Sequence, residues 1–494
     1  VSLILGETEG NPFFVQVAVE SLIEEQDLAR PGVDWLSDGE ALSGISFPSS
    51  VTDAIARRLA RQTGAEARVL QTLAVGERPI DERLLRAVLV AEQDASSVAG
   101  TVSGLARRRL VAREIDTNGV IRLRIDHVKI RDYIYESMDW DRRRELHGRF
   151  GLALEENGAA DVEELAHHFI NSPDAKKALQ YAKQAGLHAM RLCAAERAIR
   201  FLERACELVP PSDASQRLTL QLDLANAYRQ GRDNPRAIDI CGRIIKGARA
   251  AGLKTIAWVA TNSLADVLWR AGQHDEAHRV AQRIVPTLRA EGEKRILAGC
   301  LSSLANIAAS RARMDEAEKL QKETLALRRE IDDKHGIAAC LNNLAMIEML
   351  THPTQAAREM LEEALVIRRS LDDHQRAAEV LGNLGIWHRF KGELPLASAR
   401  LEEAADFSRK HRDRWLLGQT LANLAVIYRG QGRMDAALAA ARESAASARC
   451  LGDEALECEA LDYLGMTERD LGRTADAAAT HEKAAATARR GSLA

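Results

Sequence analysis

The stretch LANLAVIYRGQGRMDAALAAARESAASAR, residues 421–449, contains two apolar runs at helical spacing on either side of a glycine turn. The pattern returns every 40 residues through the second half of the chain. A leucine followed by a small residue marks each first run: Leu224-Ala225, Leu264-Ala265, Leu304-Ala305, Leu344-Ala345, Leu384-Gly385, Leu424-Ala425 and Leu464-Gly465. An alanine marks each second run: Ala237, Ala277, Ala317, Ala357, Ala397, Ala437 and Ala477. Two markers with one spacing predict helix hairpins stacked into an α-solenoid, because one hairpin cannot bury its own apolar face.

These hairpins resemble the tetratricopeptide repeat. They share its Leu-Ala/Gly pair, its tyrosine (here Tyr228 and Tyr428), its glycine turn and its alanine. The period of 40 residues resembles the longer arrays of kinesin light chains and large bacterial regulators. Residues 218–494 are therefore predicted to form seven repeats with a concave groove. Residues 141–217 are predicted to be a helical linker and an irregular first repeat.

Polar side chains at fixed positions of the first helix are candidates for binding a ligand in that groove. Asparagine stands one residue before the marker leucine or two residues after it, and arginine follows one turn later. The resemblance implies that these positions face the groove, where amides can hold the backbone of an extended peptide. The candidates are Asn226, Arg229, Asn306, Asn343, Asn383, Arg389, Asn423, Arg429 and Arg469. The alternative is that the asparagines only bridge adjacent helices.

A second series places an arginine at the end of each second helix. Its members are Arg249, Arg289, Arg329, Arg369, Arg409, Arg449 and Arg489. A cation there complements the negative end of the helix dipole, and the acidic residue four positions later, such as Asp373 after Arg369, is expected to pair with it. A basic stripe that binds a ligand is the alternative.

The sequence HDEAH places His274 and His278 at a spacing close to that of the H-E-x-x-H zinc signature. The acidic residues occupy a regular slot of the repeat, as Asp315 and Glu316 do in the next one. No third ligand is evident, so no metal site is expected.

Composition limits the remaining classes of function. The chain has 494 residues, 46% hydrophobic and 28% charged, with a net charge of −4 that gives no broad attraction to nucleic acid or anionic membrane. No apolar run has the length of a transmembrane helix. The seven cysteines never form C-x-x-C, which favours reduced packing thiols in a cytoplasmic protein.

Residues 1–170 lack the 40-residue period. Within residues 46–140, helical segments precede LVAREIDTNGVIRLRIDH, residues 110–127, in which two alternating runs flank an Asn-Gly turn. Helices followed by such a hairpin predict a winged helix, and a further helix is predicted after the second strand.

Three motifs in this order before a repeat array resemble one family. They are ETEGNPFFVQVAVESLIEEQDL at 7–28, FPSSVTDAIARRLARQ at 47–62 and RIDHVKIRDYIYESMDWDRRRELHGRF at 124–150. The chain is similar to the C-terminal portion of bacterial signal-transduction ATPases with numerous domains, which are MalT-like and NB-ARC-like regulators. Members are often fused to adenylate cyclase or LuxR-type DNA-binding domains.

The resemblance implies roles for four residues. Gly10, Asn11 and Pro12 match the turn of a helical lid, here residues 1–45, that packs against the nucleotide of the parent ATPase. His127 matches the winged-helix histidine that contacts the ADP phosphate in the resting state. The aspartate that often follows this histidine is Val128 here.

No phosphate-binding loop G-x-x-x-x-G-K-[ST] and no catalytic constellation occurs in the chain. The chain itself is therefore not expected to be an enzyme or to bind a cofactor, and ATP or ADP would belong to a parent whose loop precedes Val1. The favoured function is a regulatory arm that senses a protein, peptide or small inducer in the groove, with oligomerisation on activation. The alternatives are a free-standing scaffold for extended peptides and a DNA-binding regulator that uses Arg107–Arg109.

Overall fold

The computed structural model describes residues 15–17, 20, 50–90, 95–117, 119–158, 161–192, 194–351, 354–410 and 413–491. The chain is mainly helical and divides into two compact units. The first unit is Val1–His188 with Arg200–Pro210, and the second is Ala189–Ile199 with Pro211–Ala494. The domain boundaries expected from the sequence stay predictions, because this division reflects packing alone.

The first unit contains short helices and one small sheet. Its elements in order are α1 (Val51–Leu59), α2 (Gly64–Val75), β1 (Ile80–Asp81), α3 (Glu82–Leu89), α4 (Ala95–Arg107), β2 (Val111–Ile115), β3 (Ile121–Ile125), α5 (Val128–Ser137), α6 (Trp140–Asn157) and α7 (Val162–Ile170). Helices α8 (Ala175–Arg191) and α9 (Ala195–Leu208) contribute residues to both units.

Local side-chain chemistry fixes where these helices begin. Thr63 and Glu66 form a reciprocal capping box at the start of α2. Asp81 caps α3, its carboxylate accepting from the Leu84 N–H at 2.8 Å. Each cap satisfies backbone donors that have no partner inside the helix.

The predicted β-hairpin is present. Strands β2 and β3 pair antiparallel with Ile115 opposite Ile121, and Gly119 has a φ of 77° in the connecting turn. The sheet has the order β1-β3-β2, with Ile80 opposite Leu123. Strand β1 was not predicted because two residues carry no periodic signal. The winged-helix assignment itself stays a prediction.

The second unit consists of seven helix hairpins, called repeats 1–7 below. Their helices are α10 (Ala214–Gln230) and α11 (Asn234–Ala250), α12 (Lys254–Arg270) and α13 (His274–Glu291), α14 (Lys294–Ser310) and α15 (Met314–Glu330), α16 (Lys334–Thr351) and α17 (Gln355–Ser370), α18 (His374–Phe390) and α19 (Leu394–Lys410), α20 (Arg414–Gly430) and α21 (Met434–Leu451), and α22 (Glu454–Asp470) and α23 (Thr474–Gly491). The predicted solenoid of 40-residue hairpins is confirmed.

In the hairpins whose turns the structure describes, the turn is short because one residue adopts the left-handed conformation. In repeat 2 this residue is Gly272, with a φ of 77°, and the next N–H, from Gln273, donates back to the Leu268 carbonyl at 2.9 Å. This Schellman-type closure satisfies a carbonyl at the end of the first helix. Glycine suits the position, yet Arg232 in repeat 1 and Ala312 in repeat 3 occupy it with φ values of 62° and 56°.

The small marker residues let the two helices of a hairpin approach closely. A Cβ on Gly385 would lie 2.6 Å from Leu401 Cγ on the second helix of repeat 5. The recurring alanine of the second helix is equally enclosed, since Ala237, Ala277 and Ala397 are fully buried. The sequence markers are therefore contact positions of the hairpin core.

The arginine series was predicted to pair with acidic residues four positions later, and this is wrong for its central members. Each of these arginines reaches the second helix of the next repeat. The observed pairs are Arg289–Glu323 at 2.6 Å, Arg329–Glu363 at 3.2 Å, Arg369–Glu403 and Arg409–Glu443 at 3.0 Å. Asp373 instead pairs with Arg368, at 2.9 Å. The side chains are long enough to join neighbouring second helices.

The cysteines that the structure describes are free thiols, and Cys241, Cys300 and Cys340 are buried. Burial raises the pKa of Cys241 to about 11, of Cys300 to about 12 and of Cys340 to about 11. None of the described helices combines the length and apolar content that crossing a bilayer requires.

Candidate functional site

The first helices of the repeats form the candidate binding surface. Neighbouring first helices contact each other directly, as α20 and α22 do. Short side chains bridge them: Asn383 Nδ2 donates to Asn342 Oδ1 at 2.8 Å, and Ser303 Oγ donates to Asn262 Oδ1 at 3.3 Å. Neighbouring second helices are joined instead by the longer Arg–Glu pairs. The first helices therefore lie closer together and form the inner layer of the array.

Two parallel rows of side chains follow this inner layer, one through repeats 4–6 and the other through repeats 4–7. The amide row consists of Asn343, Asn383 and Asn423. The apolar row stands three residues further along the same helices and consists of Met346, Ile386, Val426 and Met466. All of these side chains are half-buried, so each keeps part of its surface exposed to solvent. A spacing of three residues places the rows side by side on one helix face.

The asparagines predicted from the sequence have different local partners. Asn383 bridges to the preceding repeat through Asn342, while Asn423 Nδ2 donates to the Gln419 carbonyl of its own helix at 3.1 Å. Bridging, the alternative interpretation, is thus one observed use of Asn383. Asn226 and Asn306 lie half-buried in the column that the apolar row occupies in later repeats.

The predicted arginines lie along the same helices, but several are already paired. Arg229 lies 3.4 Å from Asp266 of the next repeat. Arg429 donates to Asp470 at 2.7 Å, and Arg469 approaches the same carboxylate at 3.9 Å. Arg389 lies over the exposed ring of Phe390, 5.2 Å from its centroid. Arg229 and Arg429 therefore connect neighbouring repeats.

Sequence reasoning missed the apolar row because it searched for polar side chains. The signal was present at the position two residues after the marker leucine. That position holds Asn226, Asp266 and Asn306 in repeats 1–3 and then Met346, Ile386, Val426 and Met466 in repeats 4–7. The inner layer thus changes from polar to apolar along the array.

Two charged side chains on first helices have shifted pKa values. Glu379, on the first helix of repeat 5, is exposed, yet surrounding protein raises the pKa of its carboxyl against the opposing charges of Arg376 and Arg368. Protein around the Arg229 guanidinium lowers its pKa; Asp266 opposes this shift, and Arg270 and Arg376 add to it.

The four residues predicted to approach a nucleotide do not belong to the two rows of the inner layer. Gly10, Asn11 and Pro12 lie outside the described residues. His127 is the N-cap of α5, its Nδ1 accepting from the Lys129 N–H at 3.1 Å. Its role towards a nucleotide stays a prediction.

The first unit contains a cleft of about 590 Å³ beside a buried histidine pair. His168 lines the cleft, and its Nδ1 lies 3.1 Å from Nδ1 of His147. The Tyr135 hydroxyl lies 3.0 Å from His147 Nε2. Burial, then the charges of His167 and Arg143, lowers the pKa of His147 to about 3. The two histidines are therefore neutral. Tyr135, which belongs to the third motif at 124–150, contacts this pair through His147.

The arginines proposed for DNA contact are only partly available. Arg108 pairs with Glu66 and donates to Gln62 at 3.0 Å. Arg109 Nη1 lies 3.8 Å from Glu20 Oε1, so two of the three cations have partners within the unit's own structure. Among the described residues no group of histidine, cysteine and acidic side chains has the arrangement of a metal site.

Comparisons with known proteins agree with the repeat assignment. Two family models described as tetratricopeptide repeat match the chain, one at residues 336–410 and the other at 297–331 and 417–449. These matches cover repeats 3–6. A comparison with curated proteins gave no match.

Several solved structures are similar to the chain in fold. A signal transduction ATPase with numerous domains from Pyrococcus horikoshii, which has a tetratricopeptide-repeat sensor, is 13% identical, with 100% of this chain and 70% of that chain covered and a TM-score of 0.49. The Rap conjugation gene regulator of plasmid pLS20, solved with the Phr* peptide, is 11% identical over 78% and 96% of the two chains, with a TM-score of 0.50. The quorum sensor NprR of B. thuringiensis is 16% identical over 75% and 96%, with a TM-score of 0.44.

Proposed function

We propose that the chain is the ligand-sensing arm of a signal-transduction ATPase and that an extended peptide binds along the amide row and the apolar row. The observation that carries the proposal is the adjacency of these two rows on the inner layer of repeats 4–6, beyond which the apolar row continues into repeat 7. Amide side chains can pair with the N–H and C=O groups of a peptide backbone. The half-exposed apolar side chains gain free energy when a ligand covers them.

The fold supports a peptide as the ligand. The plasmid pLS20 regulator has a similar fold and was solved with a peptide. In the parent ATPase, ATP and ADP would bind outside the array, and ligand binding would shift the balance between the two nucleotide states. Oligomerisation on activation belongs to the same proposal.

Selection from a displayed library of random peptides tests the binding surface. Ile386→Asp places a charge in the apolar row, and we expect enrichment of bound peptides to fall at least about tenfold, equivalent to about 1.4 kcal/mol. Val366→Asp is the matched control, because Val366 lies on the second helix α17 and is 67% exposed. Equal enrichment by both variants would show that peptides bind elsewhere.

The amide row is tested by replacing Asn343, Asn383 and Asn423 together with alanine. Enrichment should again fall about tenfold, since the backbone of the peptide loses its partners. Asn342→Ala serves as the control, because it removes only the bridge to Asn383. If the control loses as much as the triple variant, the asparagines act by holding the repeats together.

The regulatory part of the proposal has a separate test. A phosphate-binding loop encoded in frame upstream of Val1 supports the arm of an ATPase. An initiating codon there without an ATPase domain supports the free-standing scaffold, while leaving the peptide site unchanged.

A further inference from the structure

One contact within the array joins repeats that are far apart in sequence. Arg232 Nη1 lies 2.9 Å from Asp453 Oδ2, 221 residues later, and its guanidinium lies 5.6 Å from the ring centroid of Trp415. The indole N–H of Trp415 donates to the same Asp453 oxygen at 3.2 Å. Arg232, Trp415 and Asp453 are called the latch below; they join the turn of repeat 1 to the first helix of repeat 6 and to the N-cap of α22 in repeat 7.

The latch is an arrangement that recognises a guanidinium. An aromatic face and a carboxylate on two sides of a cation are the two interactions that arginine makes most strongly. Trp415 and Asp453 are held by their own helices, because Asp453 Oδ1 also caps α22 by accepting from the Leu456 N–H. Burial alone would raise the pKa of Asp453, but hydrogen bonds from Arg232, Leu456 and Trp415 hold it below its usual value. The carboxylate is therefore charged and preorganised.

Arg232 reaches this site from a strained backbone. It holds the left-handed turn position with a φ of 62°, whereas Gly272, Gly392, Gly432 and Gly472 occupy the same position in other repeats. A non-glycine residue in this conformation is disfavoured, so the backbone of Arg232 costs free energy that glycine at this position would not. The contact is also exposed, since Arg232 is 52% accessible. An exposed ion pair contributes little to stability, so the contact opens readily.

We propose that Trp415 and Asp453 form a binding site for an arginine side chain of the ligand, which Arg232 fills from within when no ligand is present. A ligand arginine then displaces Arg232 and separates repeat 1 from repeat 6. The proposal depends on the peptide groove only for the identity of the ligand. It predicts that the peptide carries an arginine at the end that reaches repeat 6.

The site itself is tested by NMR on the full chain with Nα-acetyl-arginine amide as the probe. The indole N–H resonance of Trp415, assigned with Trp415→Phe, should shift saturably in Arg232→Gly. In the unsubstituted chain Arg232 competes, and half-saturation should need at least about fivefold more probe, which corresponds to about 1 kcal/mol. Acetyl-citrulline amide has the same shape without the charge and should produce no shift.

Two further variants separate recognition from misfolding. Asp453→Asn should abolish the shift, although asparagine still caps α22 and the chain stays folded. Ala312→Gly changes the equivalent turn of repeat 3 and should leave the probe response unchanged. No shift in Arg232→Gly, or an equal shift with the citrulline derivative, would overturn the proposal.

Opening is measured as the distance between spin labels at Arg243→Cys in repeat 1 and Ala439→Cys in repeat 6, in a background that carries Cys193→Ser, Cys206→Ser, Cys450→Ser and Cys458→Ser. Arg232→Gly should lengthen or broaden the distance distribution, and Ala312→Gly should not. An unchanged distribution in Arg232→Gly would show that the latch does not hold the repeats together. If the chain selects no peptide but still responds normally to the arginine probe, the peptide groove is contradicted and the arginine site is not.

Discussion

Two adjacent arginines of α17 have opposite environments. Arg369 belongs to the periodic series and forms an exposed pair with Glu403. Arg368 is 3% exposed, pairs with Asp373 at 2.9 Å and lies 3.2 Å from His335 Nδ1. Periodicity in the sequence selected Arg369, since nothing in one sequence shows which of two neighbouring cations turns inward.

Arg368→Gln should therefore destabilise the array far more than Arg369→Gln. Removing one partner of a buried pair leaves an uncompensated charge and costs about 2–4 kcal/mol here, whereas an exposed pair is worth about 0–1 kcal/mol. Urea unfolding followed by circular dichroism measures both. Similar midpoints for the two variants would contradict the assigned environments.

Gly385 and Gly382 lie on the same helix and make a second contrast. A Cβ on Gly385 would clash with Leu401 at 2.6 Å, while a Cβ on Gly382 meets nothing within 4 Å. Gly385→Ala should cost about 1–3 kcal/mol through overpacking. Gly382→Ala should instead stabilise the helix by about 0.5–1 kcal/mol. Thermal unfolding of both variants checks the prediction, and stabilisation by Gly385→Ala would contradict it.

The buried histidine pair makes stability depend on pH. Burial, followed by the charges of His147 and His167, lowers the pKa of His168 well below its usual value, as burial lowers that of His147 to about 3. Both are neutral above pH 6.5 in the folded and unfolded chain, so stability there is unaffected. Below pH 6.5 only the unfolded chain gains protons. Stability is therefore lost as the pH falls towards 3.

At pH 5 the loss from His147 alone should reach about 2 kcal/mol, since each pH unit below 6.5 costs about 1.4 kcal/mol. Comparison of thermal unfolding at pH 7.5 and pH 5 measures it. His147→Phe should reduce this dependence, whereas replacement of the exposed His374 by glutamine should not. The same acid sensitivity in all three proteins would point to other groups.

At the scale of elements, the sequence predicted hairpins where a pattern repeats or where a turn contains a characteristic dipeptide. Two markers at one spacing located fourteen helices of the array, and the Asn-Gly turn located β2 and β3. Strand β1 exists only because β3 offers Leu123 and Arg122 as partners. Its position is set by tertiary packing, which two residues cannot encode locally.

Gly272 and Gly242 have equal free space around them, so a comparison of the two separates the effect of backbone conformation from that of packing. A Cβ on either Gly272 or Gly242 would meet no neighbouring atom within 4 Å, but Gly272 has a φ of 77° and Gly242 lies within α11. Gly272→Ala should destabilise by about 1 kcal/mol because of the left-handed backbone. Gly242→Ala should stabilise by about 0.5–1 kcal/mol. Urea midpoints that move in the same direction would contradict this interpretation.

At the scale of the whole molecule, the repeat number and the amide positions followed from the sequence, but contacts across the array did not. The latch joins Arg232 to Asp453, and no periodic signal links residues 221 positions apart. The residues of the apolar row can be read from the sequence, but only the structure shows that their side chains are half-buried and keep exposed surface. The 40-residue period specifies which repeats are neighbours. Contacts between distant repeats depend on the geometry of all the repeats between them.

Each compact unit has its own core, so the second unit should fold alone. A chain of residues 189–494 keeps all seven repeats together with the segment 189–199 that packs with them. We expect full helicity by circular dichroism and cooperative urea unfolding. Its stability should also lose the acid dependence of the histidine pair, which lies in the first unit. A largely unfolded fragment would contradict the assignment of separate cores.

The buried thiols give repeats 1, 3 and 4 a built-in measure of how often each of them opens. Cys241, Cys300 and Cys340 belong to repeats 1, 3 and 4, and each is enclosed by its own hairpin and its neighbours. A protonated, enclosed thiol reacts with an alkylating reagent only after its repeat opens. The alkylation rate at each cysteine therefore reports a local opening free energy. A peptide seated on repeats 4–7 would slow the reaction at Cys340 and leave Cys241 to follow the state of repeat 1.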